Sequence, residues 1–291
     1  MENKRAIATL TIGDQYVSSW KQDCEANWRE YGRKHGYDII CLDQMLDKSG
    51  RAGERSPSWQ KCLILSQPFA RNYERIVWVD SDILINTRTA PSILDGVPID
   101  KVGAAKMFCY TGAAGQEALT RMFDFWEPAI VNPTSKEYYT KYGFSDGFDT
   151  VVQAGVLVLS PAHHRSLLEK VYFEYEEKGG PEWHYEMRPL SYELLKAGAV
   201  HWIDPRFNSV WLDDVFLHYP FVLNPPHTNG FIGRFVSKIA SRLGACSATT
   251  VRRACINATF LNSYFLHFGS SAMADMRLLD TAVTSWRQCR V

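Results

Sequence analysis

The sequence lacks the features that mark several large protein classes. Its formal net charge is zero over 291 residues, and no block of like charges forms an arm for nucleic acid. No hydrophobic run approaches the length that spans a bilayer. We therefore expect neither a nucleic-acid partner nor a transmembrane helix.

The cysteines lack a recognisable pattern as well. Seven of them are spread along the chain without a CxxC or CxxH pair. This argues against a zinc knuckle and against the disulfide framework of a small secreted domain. The first residues contain only a short apolar stretch interrupted by Thr and Asp, which is not typical of a signal peptide. We expect a cytoplasmic protein in a reducing compartment.

The sequence does contain the alternation of a layered α/β protein. Hydrophobic residues make up 46% of it, which is enough to form a large core. Apolar runs at residues 5–12, 37–43 and 75–85 read as strands. Between them, residues 16–36 read as a helix after the Gly13 turn, with Gly36 as its C-cap, and residues 58–73 have apolar positions at helical spacing. This order predicts a mixed, mostly parallel central sheet with helices on both faces.

Two aspartates interrupt the third of these runs. The stretch "RIVWVDSDILIN", residues 75–86, places Asp80 and Asp82 one residue apart. Alternate side chains of an extended strand point to the same face, so both carboxylates would project together at the end of the strand. Ligands of open α/β sheets bind beyond the carboxyl ends of strands. This favours a cation site at that edge, although a helix cap or a turn is the alternative for a short acidic pair.

The surrounding residues indicate which cation would bind. An EF-hand does not fit, because the fifth position counted from Asp80 is Leu84 and the glycine is missing. Carboxylates beside phosphate oxygens suit Mg²⁺ or Mn²⁺. His267, at the end of the apolar stretch "SYFLHFG", is a candidate further ligand, and an imidazole would favour Mn²⁺. The alternative is a core histidine that is hydrogen-bonded to backbone.

Several stretches together resemble a known enzyme family. In chain order they are "SWQK", "WVDSDILI", "VVQAGVLVLS", "YEMRPLSYELL" and "FLHFG". They follow the order seen in GT-A-type glycosyltransferases and are most similar to the retaining galactosyl-, mannosyl- and xylosyltransferases and to the glycogenin-like group. The resemblance runs from about Ile7 to Gly269. Its specific elements are the Asp-Ser-Asp and His-Phe stretches.

The resemblance implies an activity and a set of binding residues. The activity is transfer of a sugar from a UDP- or GDP-sugar to a hydroxyl of a glycan, lipid-linked or protein acceptor, with retention and with Mn²⁺ or Mg²⁺ as cofactor. Asp80, Asp82 and His267 would bind the metal. The residues implied to bind the nucleotide sugar are Thr9, Thr11, Gly13, Tyr16, Lys61, Asp80, Ser81, Asp82 and Gly155. For Lys61, a solvated helix lysine is the alternative.

Three further residues are candidates for the reaction centre. Gln153 stands where the family has Asn beside the donor sugar, and Glu186 matches an acidic position that faces the reaction centre. Asp149 is another acidic candidate. We predict attack from the leaving-group side, with Gln153 near the sugar and Glu186 orienting it. Either acidic residue could instead be a surface carboxylate or a helix cap, and a transient covalent adduct is the mechanistic alternative.

The chain departs from the family pattern at two places. Met187 and Arg188 replace an Asp-Gln pair, and no lysine follows shortly after Gly269. Stabilisation of the departing diphosphate then requires another cation. Lys61, Arg277 and a basic stretch late in the chain are the candidates.

The resemblance also implies the domain organisation. We expect a single GT-A-like catalytic domain over residues 1–291, with a nucleotide-sugar-binding half at 1–110 and an acceptor-side half at 111–291. The second half contains a long polar loop whose aromatic side chains would stack on an acceptor sugar or close over the donor, unless they are packing anchors. These aromatic residues are Tyr138, Tyr139, Tyr142, Phe144 and Phe148.

A basic stretch lies in the acceptor-side half. Residues 215–274 contain no Asp or Glu but five Lys or Arg. Apolar side chains recur every four residues through 231–243, beside a row of basic ones, within an insertion at about 229–256. This pattern predicts an amphipathic helix. It would lie on an anionic membrane as a peripheral contact, or pack on the core with its basic row in water.

Two other functions remain open from the sequence. Phosphohydrolases that use the first Asp of a strand-Asp-x-Asp stretch as nucleophile share the pattern at Asp80, and Asp213 and Asp214 would supply their late acidic pair. Against this, Leu84 stands where Thr or Val is usual. The other function is a non-catalytic binder of sugar nucleotides or glycans, which the changed residues after Glu186 and the missing lysine would suit.

Overall fold

The fold is seen over most of the chain. A computed structural model describes residues 4–107, 112–126, 131, 134–145, 148–179, 183–223, 247–269 and 272–289. Within those ranges no helix combines the length and the apolar character needed to cross a membrane. The basic amphipathic helix predicted at 231–243 lies outside the described residues, so its membrane contact stays a sequence-based prediction.

A six-stranded sheet of mixed direction forms the centre of the described structure. Its strands are β1 (Arg5–Leu10), β2 (Asp38–Leu42), β3 (Arg75–Val79), β5 (Val102–Lys106), β6 (Val152–Leu159) and β7 (Val200–Trp202). They lie in the order β2-β1-β3-β6-β5-β7. The pairs β1–β2, β1–β3 and β5–β7 are parallel, whereas β6 is antiparallel to both of its neighbours. The predicted mixed, mostly parallel α/β sheet is confirmed.

A second sheet begins where β3 ends. It contains β4 (Ile83–Ile85), β8 (Ser209–Val210) and β9 (Phe265–His267), in the order β4-β9-β8. The prediction of one strand over residues 75–85 is wrong, because β3 and β4 belong to different sheets and a turn at residues 80–82 joins them. Asp and Ser favour such turns. The two aspartates therefore come together through a turn, not through alternation along one strand.

Helices flank the central sheet. They are α1 (Asp14–Asp23), α2 (Glu25–His35), α3 (Gly112–Phe125), α4 (Ser135–Thr140), α5 (Pro161–Glu174), α6 (Met187–Lys196), α7 (Trp211–His218), α8 (Ala248–Asn262) and α9 (Met273–Met276). The sequence predicts one helix after Gly13, but the structure divides it at Cys24. The predicted C-cap is present, because Gly36 has the left-handed φ of 72° that ends α2.

Successive side chains of the central strands point to opposite faces of the sheet, and each face has its own hydrophobic core. On β3, Val77 and Val79 face a core that includes aromatic side chains of α1 and α2. Ile76 and Trp78 face the other core, which α5, α6 and the segment after residue 56 complete. All four side chains are buried. Helical elements therefore cover both faces of the sheet, as a strand buried on both sides requires.

The segment after residue 56 differs from its prediction. Its apolar spacing predicts one α-helix, but the structure has two 3₁₀ helices, Pro57–Ser66 and Pro68–Asn72. Ser56 caps the first, since its side chain accepts a hydrogen bond from the Ser58 amide. A proline has no amide hydrogen to donate, so Pro68 ends the first helix and starts the second. The first of these 3₁₀ helices carries Lys61.

Candidate metal and ligand site

Three side chains converge where the two sheets meet. Asp80 and Asp82 lie in the turn between β3 and β4, and His267 ends β9 opposite Ile83. One ligand atom from each of the three lies within 4.8 Å of the others. No other three His, Cys, Asp or Glu side chains converge in this way among the residues that the structure describes. Two carboxylates and an imidazole form a ligand set for a divalent cation such as Mn²⁺.

The His267 ring has a fixed orientation. Its Nδ1 lies 3.0 Å from Asn208 Oδ1, which can only accept, so Nδ1 donates. The Nε2 lone pair of the neutral ring then faces Asp82 Oδ1 at 3.2 Å. That oxygen is buried and makes no hydrogen bond. Two acceptors facing each other in a buried site require a positive charge, either a proton or a metal ion, so the geometry fits a bound cation.

Beside this cluster, β6 is irregular. Where β5 advances from Ala104 to Ala105, the paired residue on β6 changes from Leu157 to Gln153, so residues 154–156 bulge. Bulges redirect a strand locally and are frequent beside functional sites. Here the bulge brings the β6 backbone to the turn that carries the two aspartates.

Gly155 lies at the centre of this bulge. Its carbonyl accepts a hydrogen bond of 2.8 Å from the Asp80 amide. A Cβ at this position would lie 2.6 Å from His267 Cε1 and 2.7 Å from Nδ1. A side chain at residue 155 would therefore collide with the ring of the third metal-ligand candidate.

We predict that Gly155→Ala displaces the His267 ring. Overpacking of this kind costs about 1–3 kcal/mol, so the free energy of unfolding measured in urea should fall by that amount. Gly53→Ala is the matched control, because an added Cβ at Gly53 has no atom within 4 Å. If Gly155→Ala were no more destabilising than Gly53→Ala, the close contact with His267 would be contradicted.

Lys61 connects the turn to a second acidic residue. Its Nζ lies 3.1 Å from Asp80 Oδ1 and 2.8 Å from Glu186 Oε1, and it donates to the Ala154 carbonyl at 3.3 Å. The side chain is only 6% exposed. Burial alone would lower the pKa of Lys61, but Asp80 and Glu186 raise it above its ordinary value. Lys61 is thus a buried, charged lysine, and a solvated helix lysine is excluded.

The two aspartates differ in their protonation equilibria. Burial raises the pKa of Asp80 in spite of Lys61, and Trp78 Nε1 donates a hydrogen bond of 2.7 Å to its Oδ1. Burial would raise the pKa of Asp82 as well, but His267 has the larger effect and lowers it. Burial would lower the pKa of the His267 imidazole, but the Asp82 carboxylate raises it above its ordinary value. Each of these two groups therefore favours the charged form of the other.

A cavity of about 490 Å³ opens beside the cluster. It lies beyond the carboxyl ends of β1 and β3, where α/β sheets bind their ligands. Its volume falls within the range of small-molecule sites, roughly 300–1,000 Å³. The residues that line it are Leu10, Thr11, Ile12, Tyr16, Ser56, Pro57, Ser58, Lys61, Trp78, Asp80, Ser81, Asp82, Tyr185, His267 and Gly269.

One wall of the cavity has a strained backbone. His184 and Tyr185 have φ values of 58° and 49°, in the left-handed region that costs L-residues roughly 1–2 kcal/mol each. Such strain is concentrated at ligand sites. Tyr185 lines the cavity, and the next residue, Glu186, reaches Lys61. The strained turn thus places two successive side chains at the site.

The predicted binding residues are distributed unevenly around the cavity. Thr11, Tyr16 and Ser81 line it. Thr9 does not, because it is fully buried within β1. Gly13, with a φ of 92°, precedes α1 and is not among the lining residues. The structure therefore offers Thr11 and Tyr16, rather than Thr9, to a bound ligand.

The predicted reaction-centre residues lie outside the cavity lining. Gln153 Oε1 accepts a hydrogen bond of 3.1 Å from the Gly155 amide, so its side chain is folded back on its own strand. Glu186 is buried and contacts the site through Lys61. Asp149 is exposed, and its carbonyl accepts a hydrogen bond from Ser135. None of the three is positioned by a contact with the metal-ligand candidates in the part of the chain that the structure describes.

The aromatic loop is mainly a packing element. Tyr138 and Tyr139 are buried, at 1% and 0% exposure, so for these two the packing alternative applies and stacking on an acceptor does not. The Tyr139 hydroxyl pairs with Ser191 at 2.7 Å. Arg188, which departs from the family pattern, places its guanidinium 4.1 Å from the Tyr138 ring and 4.3 Å from that of Tyr142. These residues anchor the loop and α6 to each other.

Other candidates from the sequence have different partners. Arg277 contacts Asp23 at 3.2 Å and does not line the cavity, so it is not a diphosphate-binding cation in this arrangement. Asp213 and Asp214 belong to α7 and take no part in the acidic cluster with Asp80. Burial raises the pKa of Asp214 to about 6. The late acidic pair expected of a phosphohydrolase is therefore not assembled at Asp80.

Sequence reasoning missed two residues whose side chains are hydrogen-bonded to the metal-ligand candidates. Trp78 stands two positions before Asp80 on an extended strand, so strand periodicity could have placed its indole on the same side. Asn208 could not have been found in this way. It is 59 residues away from His267, and only the parallel pairing of β8 with β9 brings the two together.

Solved structures of other proteins are similar to this chain. No protein-family model and no curated protein matches the sequence. A glycosyltransferase involved in glycosylation of the major capsid of PBCV-1 is 13% identical, with 94% of this chain and 98% of that chain covered and a TM-score of 0.49. Galactosyltransferase LgtC, solved with donor and acceptor sugar analogs, is 14% identical, with 98% and 100% covered and a TM-score of 0.46.

A third solved structure supports the fold most directly. The bifunctional glycosyltransferase WbbM is 14% identical and has a TM-score of 0.50, and the match covers 99% of this chain. This chain spans about half of WbbM, since 51% of that chain is covered. The chain therefore has the GT-A-type fold of glycosyltransferase structures that its sequence predicts.

Proposed function

We propose that this chain is a metal-dependent glycosyltransferase. It transfers a sugar from a nucleotide-sugar donor, a UDP- or GDP-sugar, to a hydroxyl of a glycan, lipid-linked or protein acceptor, with retention. The observation that carries the proposal is the convergence of Asp80, Asp82 and His267 on a cavity beyond the carboxyl ends of β1 and β3. The fold shared with solved glycosyltransferases supports the same assignment.

The residues present fit a divalent metal. Asp80, Asp82 and His267 would hold Mn²⁺, and the buried, unpaired Asp82 Oδ1 would gain a ligand bond. When bound, the metal supplies positive charge against the diphosphate that leaves as the glycosidic bond breaks. Mn²⁺ is proposed ahead of Mg²⁺ because one of the three ligands is an imidazole.

The protein side chains around the metal ligands hold them in place. Lys61 and the Trp78 indole fix Asp80, whose Oδ1 contacts both. Asn208 holds the His267 tautomer that presents Nε2. Because Lys61 is already paired with Asp80 and Glu186, it acts on the diphosphate mainly by balancing the charge of the acidic pair.

The cavity lining suggests where the donor binds. Tyr16 is 51% exposed at the cavity, so its ring is available to stack on a nucleobase. Ser81 lies between the two aspartates and lines the cavity, so it would contact the diphosphate of a bound donor. Attack from the leaving-group side needs no enzymic nucleophile, which agrees with Gln153 and Glu186 being engaged by protein partners.

The test is a metal-stripped sample incubated with a panel of UDP-, GDP- and other activated sugars, with and without Mn²⁺, and with a generic phosphomonoester. We expect slow Mn²⁺-dependent release of nucleoside diphosphate from one donor. Phosphomonoester hydrolysis without donor hydrolysis would indicate the phosphohydrolase. Binding of UDP and Mn²⁺ with no turnover would indicate a non-catalytic binder.

We predict that Asn208→Ala weakens Mn²⁺ binding about 10- to 100-fold, because loss of a hydrogen-bond partner frees the ligating histidine to rotate. Asn208→Asp should bind Mn²⁺ at least as well as the wild type, because a carboxylate also accepts from His267 Nδ1. Titration of Mn²⁺ followed by the EPR signal of the free ion measures both. Equal Mn²⁺ affinities for wild type and Asn208→Ala would contradict the role of Asn208.

A further inference from the structure

Strand β4 connects both halves of the metal-ligand cluster. It follows Asp82 directly, and its first residue, Ile83, pairs with His267 on β9. The Phe268 amide also donates to the Asp82 carbonyl at 3.0 Å. β4 is only three residues long, so its pairing with β9 holds it only weakly. The position of Asp82 therefore also depends on the contacts at the other edge of the strand.

The other edge of β4 is held by side chains of α2. Asn27 Nδ2 donates to the Ile85 carbonyl at 2.7 Å, and Asn27 Oδ1 accepts from the Ile85 amide at 2.8 Å. Trp28 Nε1 donates to the Ile83 carbonyl at 2.8 Å. One amide side chain thus satisfies both backbone groups of a strand residue, as a neighbouring strand would do.

A third residue of this helical region contacts the turn that carries Asp80 and Asp82. Cys24, which separates α1 from α2, directs its Sγ at the Ser81 carbonyl at 3.4 Å. Residues 24, 27 and 28 lie on one side of the helix because their spacing is three and four. This row, Cys24, Asn27 and Trp28, contacts the backbone from Ser81 to Ile85. The row therefore packs along both the turn that carries the metal-ligand candidates and β4, which comes after it.

We propose that Asn27 is a positioning residue for the metal ligands Asp82 and His267. The inference rests on the proposed function, since it concerns the same metal site. The Asn27 side chain makes two hydrogen bonds to the backbone of Ile85. It is half-buried and polar, so it contributes little apolar packing. Asn is also a poor helix former, so intrinsic propensity does not account for its place in the first turn of α2.

The chain offers a matched control on the same helix. Tyr31 lies one turn further along α2, and its hydroxyl donates to the Pro91 carbonyl at 2.7 Å and accepts from the Ile93 amide at 3.0 Å. Tyr31→Phe therefore removes two hydrogen bonds to backbone, as Asn27→Ala does. The backbone it releases is not joined to a metal ligand.

The experiment compares Mn²⁺ dissociation constants of wild type, Asn27→Ala and Tyr31→Phe by EPR titration, together with their thermal unfolding. We expect both variants to unfold at lower temperature. We expect the Mn²⁺ dissociation constant to rise about three- to tenfold for Asn27→Ala, below the range of a direct ligand partner. It should stay within about twofold of wild type for Tyr31→Phe, as expected where coupling to the site is absent.

Each outcome has a distinct meaning. Wild-type protein that binds no Mn²⁺ would overturn the proposed function, and with it the role of Asn27. Wild-type binding with equal affinity in Asn27→Ala and Tyr31→Phe would overturn the positioning role alone. If Asn27→Ala does not fold, Asn27→Asp takes its place. It keeps the acceptor for the Ile85 amide but loses the donor to the Ile85 carbonyl, and a weaker Mn²⁺ affinity is again expected.

Discussion

Asp82→Ala is expected to lower Mn²⁺-dependent release of nucleoside diphosphate by at least about a thousandfold, which corresponds to ~4 kcal/mol of transition-state stabilisation. Asp82 supplies the buried oxygen that faces His267 Nε2, so its loss removes one ligand and leaves the imidazole without its charge partner. Asp80→Ala should have a similar effect. The measurement is the initial rate of diphosphate release at saturating donor and Mn²⁺.

Asp214→Ala is the control for this prediction. Asp214 is an acidic residue of α7 outside the cluster, and it would belong to the late acidic pair of a phosphohydrolase. The glycosyltransferase account predicts that Asp214→Ala keeps the wild-type rate. A large loss in Asp214→Ala, or an unchanged rate in Asp82→Ala, would reject the assignment of the acidic turn.

Lys61→Met is expected to lower the free energy of unfolding by about 3–5 kcal/mol, because it leaves two carboxylates close together without their shared cation. Both Asp80 and Glu186 depend on the same Nζ. The double variant Lys61→Met/Glu186→Gln should recover part of this loss, because one of the two unpaired charges is removed. Urea unfolding of the single and double variants measures the recovery.

Arg29→Met is the matched control for Lys61→Met. Arg29 contacts Glu25 at 2.6 Å on α2, and the two side chains are 58% and 29% exposed. Exposed pairs contribute about 0–1 kcal/mol, so this variant should be only slightly destabilised. If Lys61→Met cost no more than Arg29→Met, Lys61 would not be the buried charge partner that the structure describes.

The sequence predicts the site best where a residue able to bind a metal directly follows an apolar strand. Asp80 and Asp82 follow a strand that is apolar on both faces, so their polarity and their place at the strand end are visible together. His267 is visible as a polar residue after an apolar stretch. These three residues are also the cluster that the structure brings within 4.8 Å.

Other parts of the site depend on packing that local patterns do not report. A glycine inside a strand, such as Gly155, suggests close approach of another backbone, but the register change itself arises from the pairing of β6 with β5. Lys61 is buried only because a 3₁₀ helix directs it between β3 and the turn before α6. Asn208 reaches His267 through a strand pairing across 59 residues. Long-range pairing therefore limits sequence-based prediction here.

The most direct test of the account is a crystal soaked with Mn²⁺ and UDP, measured at a wavelength where manganese scatters anomalously. We predict one anomalous peak that places a manganese ion within bonding distance of Asp80, Asp82 and His267 Nε2, with the UDP diphosphate as a further ligand. A soaked crystal with no peak at this turn, or with the two aspartates bound to protein groups and the manganese elsewhere, would contradict the central claim.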